Sequence, residues 1–261
     1  MTEKIDRPPF WAPPLLAVQF LTRIPVPGVN GLSTEVVRIG LGQAVGWFPL
    51  VGSLIGGITA LIVLVGEGFW PRAIAVIIAL IVEARLTGAF HEDAVADFCD
   101  AFGGGFTRDD TLRIMKDSRV GSYGALGLML AVLLRTVSMI ALDQAILIAT
   151  IIAAATFGRL LVVILMATTT PAAVTTGLAK DIGGQIGVRQ WGLAVVLALP
   201  SLGLLGWLTP VAALVTLLGG MIFLIWFRAL LIARLGGSTG DCLGFAAYAG
   251  QLILLLAATA Q

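Results

Sequence analysis

Between Glu83 and Tyr123 the chain reads EARLTGAFHEDAVADFCDAFGGGFTRDDTLRIMKDSRVGSY. This stretch carries eight of the fifteen acidic residues, five of the sixteen basic ones and the only histidine. The rest of the chain offers few groups that could move protons or hold a metal, so the chemistry is expected here. If residues 92–101 are helical, Asp93, Asp97 and Asp100 stand at i, i+4 and i+7, within an arc of roughly 60°. Three carboxylates on one stripe repel one another unless a cation sits among them. A donor set made only of oxygens favours Mg²⁺ or Mn²⁺ over zinc, and the plainer alternative is a solvated acidic face. His91 lies about 160° from Asp93 on an ideal helix, either as a general base or phosphate donor or as an ordinary interfacial histidine.

Gly103, Gly104 and Gly105 are expected to interrupt this helix. Backbone without side chains can approach phosphate oxygens, with Arg108, Arg113, Lys116 and Arg119 supplying the balancing charge; a flexible turn is the simpler reading. Two later segments carry similar residues. In GGSTGD (236–241), glycines, hydroxyls and Asp241 could form a second oxygen-rich wall, or a helix-linking turn in which Asp241 caps the following helix. The 168–190 loop contributes Lys180, Asp181, Gly183 and Gly184. Arg135, Arg159 and Arg228 fall inside apolar stretches, where charge is costly. Arg159 and Arg228 are placed to reach anionic substrate groups, whereas snorkelling is the simpler account of Arg135.

The elements that must hold these residues are membrane helices. With 58% hydrophobic and 12% charged residues and a mean hydropathy of +1.01, the chain is far from the composition of a soluble domain. A bilayer core of roughly 30 Å needs about 20 apolar residues per crossing. Seven stretches qualify: Gln43–Val65, Arg72–Phe90, Gly121–Leu142, Ala145–Ala167, Trp191–Leu208, Val211–Ala233 and Leu243–Ala258. The reading is therefore an all-α, polytopic membrane bundle, one domain over 1–261. Residues 1–42 form a polar tail, a Pro-broken interfacial or re-entrant piece (Phe10–Pro27) with Trp11 and Arg23 at headgroup level, and a mixed loop at 28–42. Gly46, Gly52, Gly56, Gly57 and Ala60 would let another helix approach the first span.

No cleavable signal peptide is evident in the polar first nine residues. The Lys and Arg of the short loops put the tail and residues 91–120, 168–190 and 234–242 on the cytoplasmic side, and Arg72 opposite. Residues 83–123 then form a cytoplasmic active-site region. Cys99 and Cys242 fall on the same side and are read as reduced thiols. The formal charge of +1 leaves no basic surface for nucleic acid, so the bilayer is the expected macroscopic partner. A transporter would place ionisable groups near the midplane and show related halves; the sequence reads as having neither.

FLTRIPVP (20–27), LTGAFHEDAVADFCDAFGGG (86–105), RIMKDSRVGSYG (113–124) and LGGSTGDCLG (235–244) together resemble the cobalamin synthase family, the adenosylcobinamide-GDP ribazoletransferases. The blocks cover nearly the whole chain in the family's order. The resemblance implies a Mg²⁺-dependent enzyme of the bacterial inner membrane. It would join adenosylcobinamide-GDP to α-ribazole or its 5′-phosphate and release GMP, alone, as a homo-oligomer or beside other late corrinoid-pathway enzymes. The family's histidine and aspartate signature falls on His91, Asp93, Asp97 and Asp100, its lysine-aspartate pair on Lys116 and Asp117, and its late glycine-aspartate motif on Gly240 and Asp241; together with the residue reading above, these give the expected site. Asp93, Asp97 and Asp100 would hold metal, and His91, Asp97 and Asp117 would serve catalysis. Gly103, Gly104, Arg113, Lys116, Arg119, Gly240 and Asp241 would contact the phosphate-bearing substrates. Ala94 and Ala101 stand where the family usually has glycine, and their methyls would narrow the approach to the carboxylates. CDP-alcohol phosphotransferases and membrane prenyltransferases are the alternatives. Asp97 to Arg108 lacks the Ala-Arg half of the first family's motif, and the second family's second aspartate-rich motif is missing.

Overall fold

The computed structural model describes residues 7–172 and 186–260; Lys4, Lys180, Asp181, Gly183 and Gly184 lie outside them. Among the described residues the chain is helical, with one isolated β-bridge between Pro171 and Ser238. The helices are α1 (Ala12–Leu21), α2 (Thr34–Ala44), α3 (Phe48–Gly66), α4 (Arg72–Thr87), α5 (Phe90–Gly104), α6 (Arg108–Met115), α7 (Ser122–Ala141), α8 (Leu147–Thr168), α9 (Val188–Leu208), α10 (Pro210–Leu235) and α11 (Gly240–Thr259). Six segments are long and apolar enough to cross a membrane, the first running from Thr34 to Gly66 through α2 and α3, and α4 with α5 can supply a seventh. The protein is a multi-pass membrane helix bundle, as composition demanded.

α8 is the axis of the bundle, packed against α3, α9 and α11. Small residues make this possible, since without a hydrophobic force between helices in lipid the backbones must approach closely to gain dispersion energy. Gly52 and Gly56 of α3 lie against Ala155 and Ile152 of α8, where an added methyl would come within 2.6 Å of the Ala155 carbonyl oxygen or 2.8 Å of the Ile152 Cα. On its other side, Gly158 of α8 packs against the Ala247 carbonyl of α11. Gly57, by contrast, faces open space. The outer faces of α9 and α10 present exposed Leu199, Leu204, Leu214, Leu217 and Ile225, as lipid contact requires.

Three elements differ from expectation. Residues 34–42, expected as loop, belong to α2, because the Ser33 hydroxyl accepts from Val36 N–H at 3.4 Å and Arg38 pairs with Glu35 one turn away at 2.6 Å. α6 was also missed; Thr107 caps it by accepting from Asp110 N–H at 3.1 Å, and Asp109 and Asp110 sit in its electropositive first turn. The expected Arg72–Phe90 span is not one straight helix. α4 ends at Thr87, and α5 leaves at 88°.

That corner positions the site. Gly88 (φ 74°) and Ala89 (φ 55°) both take the left-handed conformation, and Ala89 N–H bonds to the Ala84 carbonyl at 2.8 Å, closing the helix end. A non-glycine residue there costs about 1–2 kcal/mol. The 20–27 segment braces the turn: Arg23 N–H donates to the Leu86 carbonyl at 2.7 Å, and the Arg23 guanidinium covers the space where Gly88 has no side chain. Gly88→Ala is expected to lower the thermal midpoint and turnover together, whereas Gly57→Ala should change neither; thermal unfolding in detergent and a product assay check both. A Gly88→Ala protein as stable and active as the parent would remove the corner from this role.

Candidate active site

One end of the bundle gathers the polar segments. Ala172 N–H donates to the Ser238 carbonyl at 3.0 Å and Ser238 N–H to the Thr170 carbonyl at 2.9 Å, which joins the end of α8 to the 236–239 loop. The same loop starts α11, where the Thr239 hydroxyl accepts from Cys242 N–H at 3.3 Å. Thr239, not Asp241, is therefore the cap. Arg72, Glu67 and Gln144 cluster at the opposite end, with Arg72 donating to the Glu67 carboxylate and to the Leu142 carbonyl, each at 2.5 Å.

A cavity of about 390 Å³ opens at the loop end, among α1, α3, α5, α6, α8 and α11. His91, Lys116, Arg159, Thr239, Gly240 and Asp241 supply its polar lining, and its apolar wall includes Phe20, Phe48, Phe90, Leu112, Met115, Val162 and Met166. α5 starts at Phe90, so His91 and Asp93 do point to different sides of one helix. His91 is buried in the cavity wall, 4% exposed, with its ring edge-on to Phe90 at 5.3 Å. Burial and the charges of Asp93, Asp241 and Asp100 push the Asp97 carboxyl up to about 6. α5 leaves α4 at 88° toward the end of the bundle where α11 brings Asp241, and the repulsion there is what a divalent cation would relieve.

Asp100 turns elsewhere. Its oxygens accept from Gly121 N–H at 2.6 Å and Gly124 N–H at 2.7 Å, so it anchors the start of α7. Beyond the carboxylates of its own helix, the group whose charge acts on Asp97 is Asp241 of α11. Among the described residues no three His, Cys, Asp or Glu side chains form a ready metal cage. Mg²⁺ seldom needs one: it keeps several waters and is held by one or two carboxylates plus substrate phosphates. One or two of the oxygen-only donors Asp93, Asp97 and Asp241 would suffice for that mode.

The remaining site expectations separate in space. α5 runs through Gly103 and Gly104 and ends at Gly105, so the triple glycine does not interrupt it before Gly104. Gly103 makes room for the Tyr123 ring, and Gly105 for Thr111 and the Ala101 carbonyl. Arg113 is exposed and pairs with Asp110 at 3.5 Å; Arg119 is exposed and pairs with Asp117 at 2.6 Å. Those hydrogen bonds from Arg119 hold the Asp117 carboxyl at about 2. Of the basic residues in this region only Lys116 lines the cavity. Ala94 and Ala101 are buried and line no part of it; the Ala94 methyl packs where Gly244 has no side chain.

Arg135 does not snorkel. It is 4% exposed, and donates to both oxygens of Glu83 at 2.8 Å, lies 3.7 Å from Glu92 and stacks 5.6 Å over Tyr248. Thr59 completes the Glu83 shell at 2.6 Å. Ionisable groups thus do occupy the bundle interior, contrary to the sequence reading, as a compensated pair. Arg228 is exposed on an outer groove and donates to the Thr168 carbonyl at 2.8 Å, away from the cavity. The Glu83–Arg135 pairing links residues 52 apart, a distance that no local pattern in the sequence encodes.

The bundle, with an apolar cavity at one end that is edged by polar side chains, defines a polytopic membrane protein with a single candidate site among the described residues at its loop end. The family model for cobalamin-5-phosphate synthase matches residues 13–259, and the chain belongs to that family, an enzyme of cobalamin biosynthesis and a transferase. Similar proteins include the adenosylcobinamide-GDP ribazoletransferases of Ralstonia nicotianae, 37% identical over 92% of each chain, and of Shewanella baltica, 37% identical over 92% of this chain and 90% of that one. The protein of that name from Vibrio cholerae is 35% identical over 93% and 91%. No solved structure matches the chain.

Proposed function

We propose that this protein joins adenosylcobinamide-GDP to α-ribazole or α-ribazole 5′-phosphate, giving adenosylcobalamin or its 5′-phosphate and GMP. Full-length similarity to ribazoletransferases supports the substrates. The observation that carries the site is the cavity lined by His91, Lys116 and Asp241, with Asp93 and Asp97 of α5 within electrostatic reach of Asp241. The ribazole hydroxyl attacks the corrinoid-side phosphorus of the pyrophosphate; the new P–O bond forms as the bond to GMP breaks. Such a transfer depends on positioning and on neutralised charge.

Asp93, Asp97 and Asp241 would hold Mg²⁺, which when bound neutralises charge on the pyrophosphate. Lys116 binds a phosphate oxygen from the cavity side. His91 sits where it can accept the proton of the attacking hydroxyl, and its burial keeps competing water from that proton. Asp117, tied to Arg119 on the surface, keeps that loop in place. Asp100 fixes the start of α7 against α5. Gly240 leaves open space at the mouth, where a side chain would meet substrate before protein. The loop end faces the cytoplasm of a bacterial inner membrane, in accord with its excess of Lys and Arg.

Purified protein in lipid nanodiscs, given both substrates and Mg²⁺, should release GMP and form the new corrinoid in equal amounts, as read by chromatography. Folded protein that makes neither product would overturn the assignment.

A further inference from the structure

Arg159 is the buried group that this mechanism does not use. It is 1% exposed, lines the cavity, and has no carboxylate within ion-pair distance among the described residues. Its one hydrogen bond runs from Nη1 to the Ala155 carbonyl of its own helix at 3.3 Å, and its Nε is buried without a partner. Glu83 and Glu92 are its nearest opposite charges, and both are committed to Arg135. A guanidinium with five donors, desolvated and unpaired, is costly to keep. An anionic group entering the cavity would complete it, through charge-assisted and bidentate hydrogen bonds.

The rest of the cavity says what carries that anion. Phe20 stacks on Phe48 at 5.6 Å and meets Phe90 edge-on at 5.6 Å, and Val162 and Met166 continue an apolar wall along α8. A cavity of about 390 Å³ sits at the small end of the roughly 300–1,000 Å³ that drug-sized ligands occupy. It takes a flat aromatic body with one phosphate and is too small for a corrin ring.

Resting on the transferase reading above, we infer that this cavity is the acceptor site, with the benzimidazole base of the ribazole on the phenylalanine-lined wall and its 5′-phosphate on Arg159. Arg159 thereby makes the phosphorylated acceptor the preferred one, and the attacking hydroxyl is left between His91 in the cavity wall and Asp241 at its edge. The same chemistry, a phosphate on an apolar body, is also found in a phospholipid headgroup and in GMP.

The test is equilibrium dialysis of delipidated protein in detergent, which does not require turnover. Wild type should bind α-ribazole 5′-phosphate about 10- to 100-fold more tightly than α-ribazole, the range expected for hydrogen bonds to a charged group. Arg159→Met should abolish that difference by weakening only the phosphorylated ligand, and Arg159→Lys should restore part of it. GMP and short-chain phosphatidic acid, dialysed in parallel, should be unaffected by the substitution. Equal weakening of both acceptors would make Arg159 merely structural; selective loss of GMP or phosphatidic acid would assign the cavity to the donor or to lipid. Any of these overturns the inference. Should Arg159→Met fail to fold, Met166→Trp fills the cavity instead and must weaken both acceptors but not adenosylcobinamide-GDP; unchanged acceptor binding there refutes the site. Acceptor binding with this pattern but no transfer would sink the reaction assigned above and leave the cavity's ligand standing.

Discussion

Asp97→Asn should abolish turnover, by about 10²–10³-fold or more, and at the same time stabilise the metal-free protein at neutral pH. The two effects have one cause. Burial and the neighbouring carboxylates Asp93, Asp241 and Asp100 raise the Asp97 carboxyl from 3.8 to about 6, so the folded state prefers it protonated. Its contribution to stability is therefore fully present below pH 3.8 and is lost as pH rises through about 6. At pH 7 the ionised group opposes folding, and the neutral amide removes that opposition. Mg²⁺ should raise the thermal midpoint of the wild type and leave that of Asp97→Asn unmoved. Thermal unfolding with and without Mg²⁺, beside the product assay, reads all of this. A variant that keeps wild-type turnover would remove Asp97 from the site.

The second large effect lies in the bundle interior. Arg135 and Glu83 are 5% and 4% exposed at their side chains, in contact at 2.8 Å. Removing one partner leaves the other charge buried without compensation, at a cost of about 3–5 kcal/mol. Arg135→Met should thus yield protein that is largely aggregated on size exclusion. Arg135→Met with Glu83→Leu removes both charges and should recover much of the folded fraction, leaving a smaller loss from Thr59 and Glu92, which the wild-type pair also engages. Equal stability of the single variant and the wild type would show that the pair holds nothing together.

How far the sequence could be read follows from the range of the interactions involved. Span lengths are set by the bilayer and are local, so α7, α8, α9, α10 and α11 were legible from hydropathy. The α3–α8 contact was legible in part, since Gly52 and Gly56 announce a close approach without naming Ala155 and Ile152 as its partners. α2 and α6 were missed because a single cap and a few charged pairs, not an apolar stripe, define them. The bend at Gly88 and Ala89 was hidden inside an apolar run, though Gly88 marked where a left-handed turn could fall. The carboxylate stripe was correctly placed on a helix, but which carboxylate it left free could not be read. Asp100 turns to amides some 21 to 24 residues on, while Asp241 reaches the site from the last helix. Similarly, only the packing of α8 against α3, α9 and α11 distinguishes Arg159 in the cavity from Arg228 on the outer groove.

The central claim is that carboxylates at the cavity mouth hold a divalent cation against the substrate pyrophosphate. Mn²⁺, which takes the same oxygen donors and is visible by electron paramagnetic resonance, tests it most directly. Titrated into wild-type protein with adenosylcobinamide-GDP present, Mn²⁺ should lose its free-ion signal at one equivalent per site. Its affinity should fall about tenfold for each pH unit below about 6, and Asp97→Asn should bind far more weakly. Mn²⁺ bound equally well by wild type and Asp97→Asn, at every pH, would contradict the account.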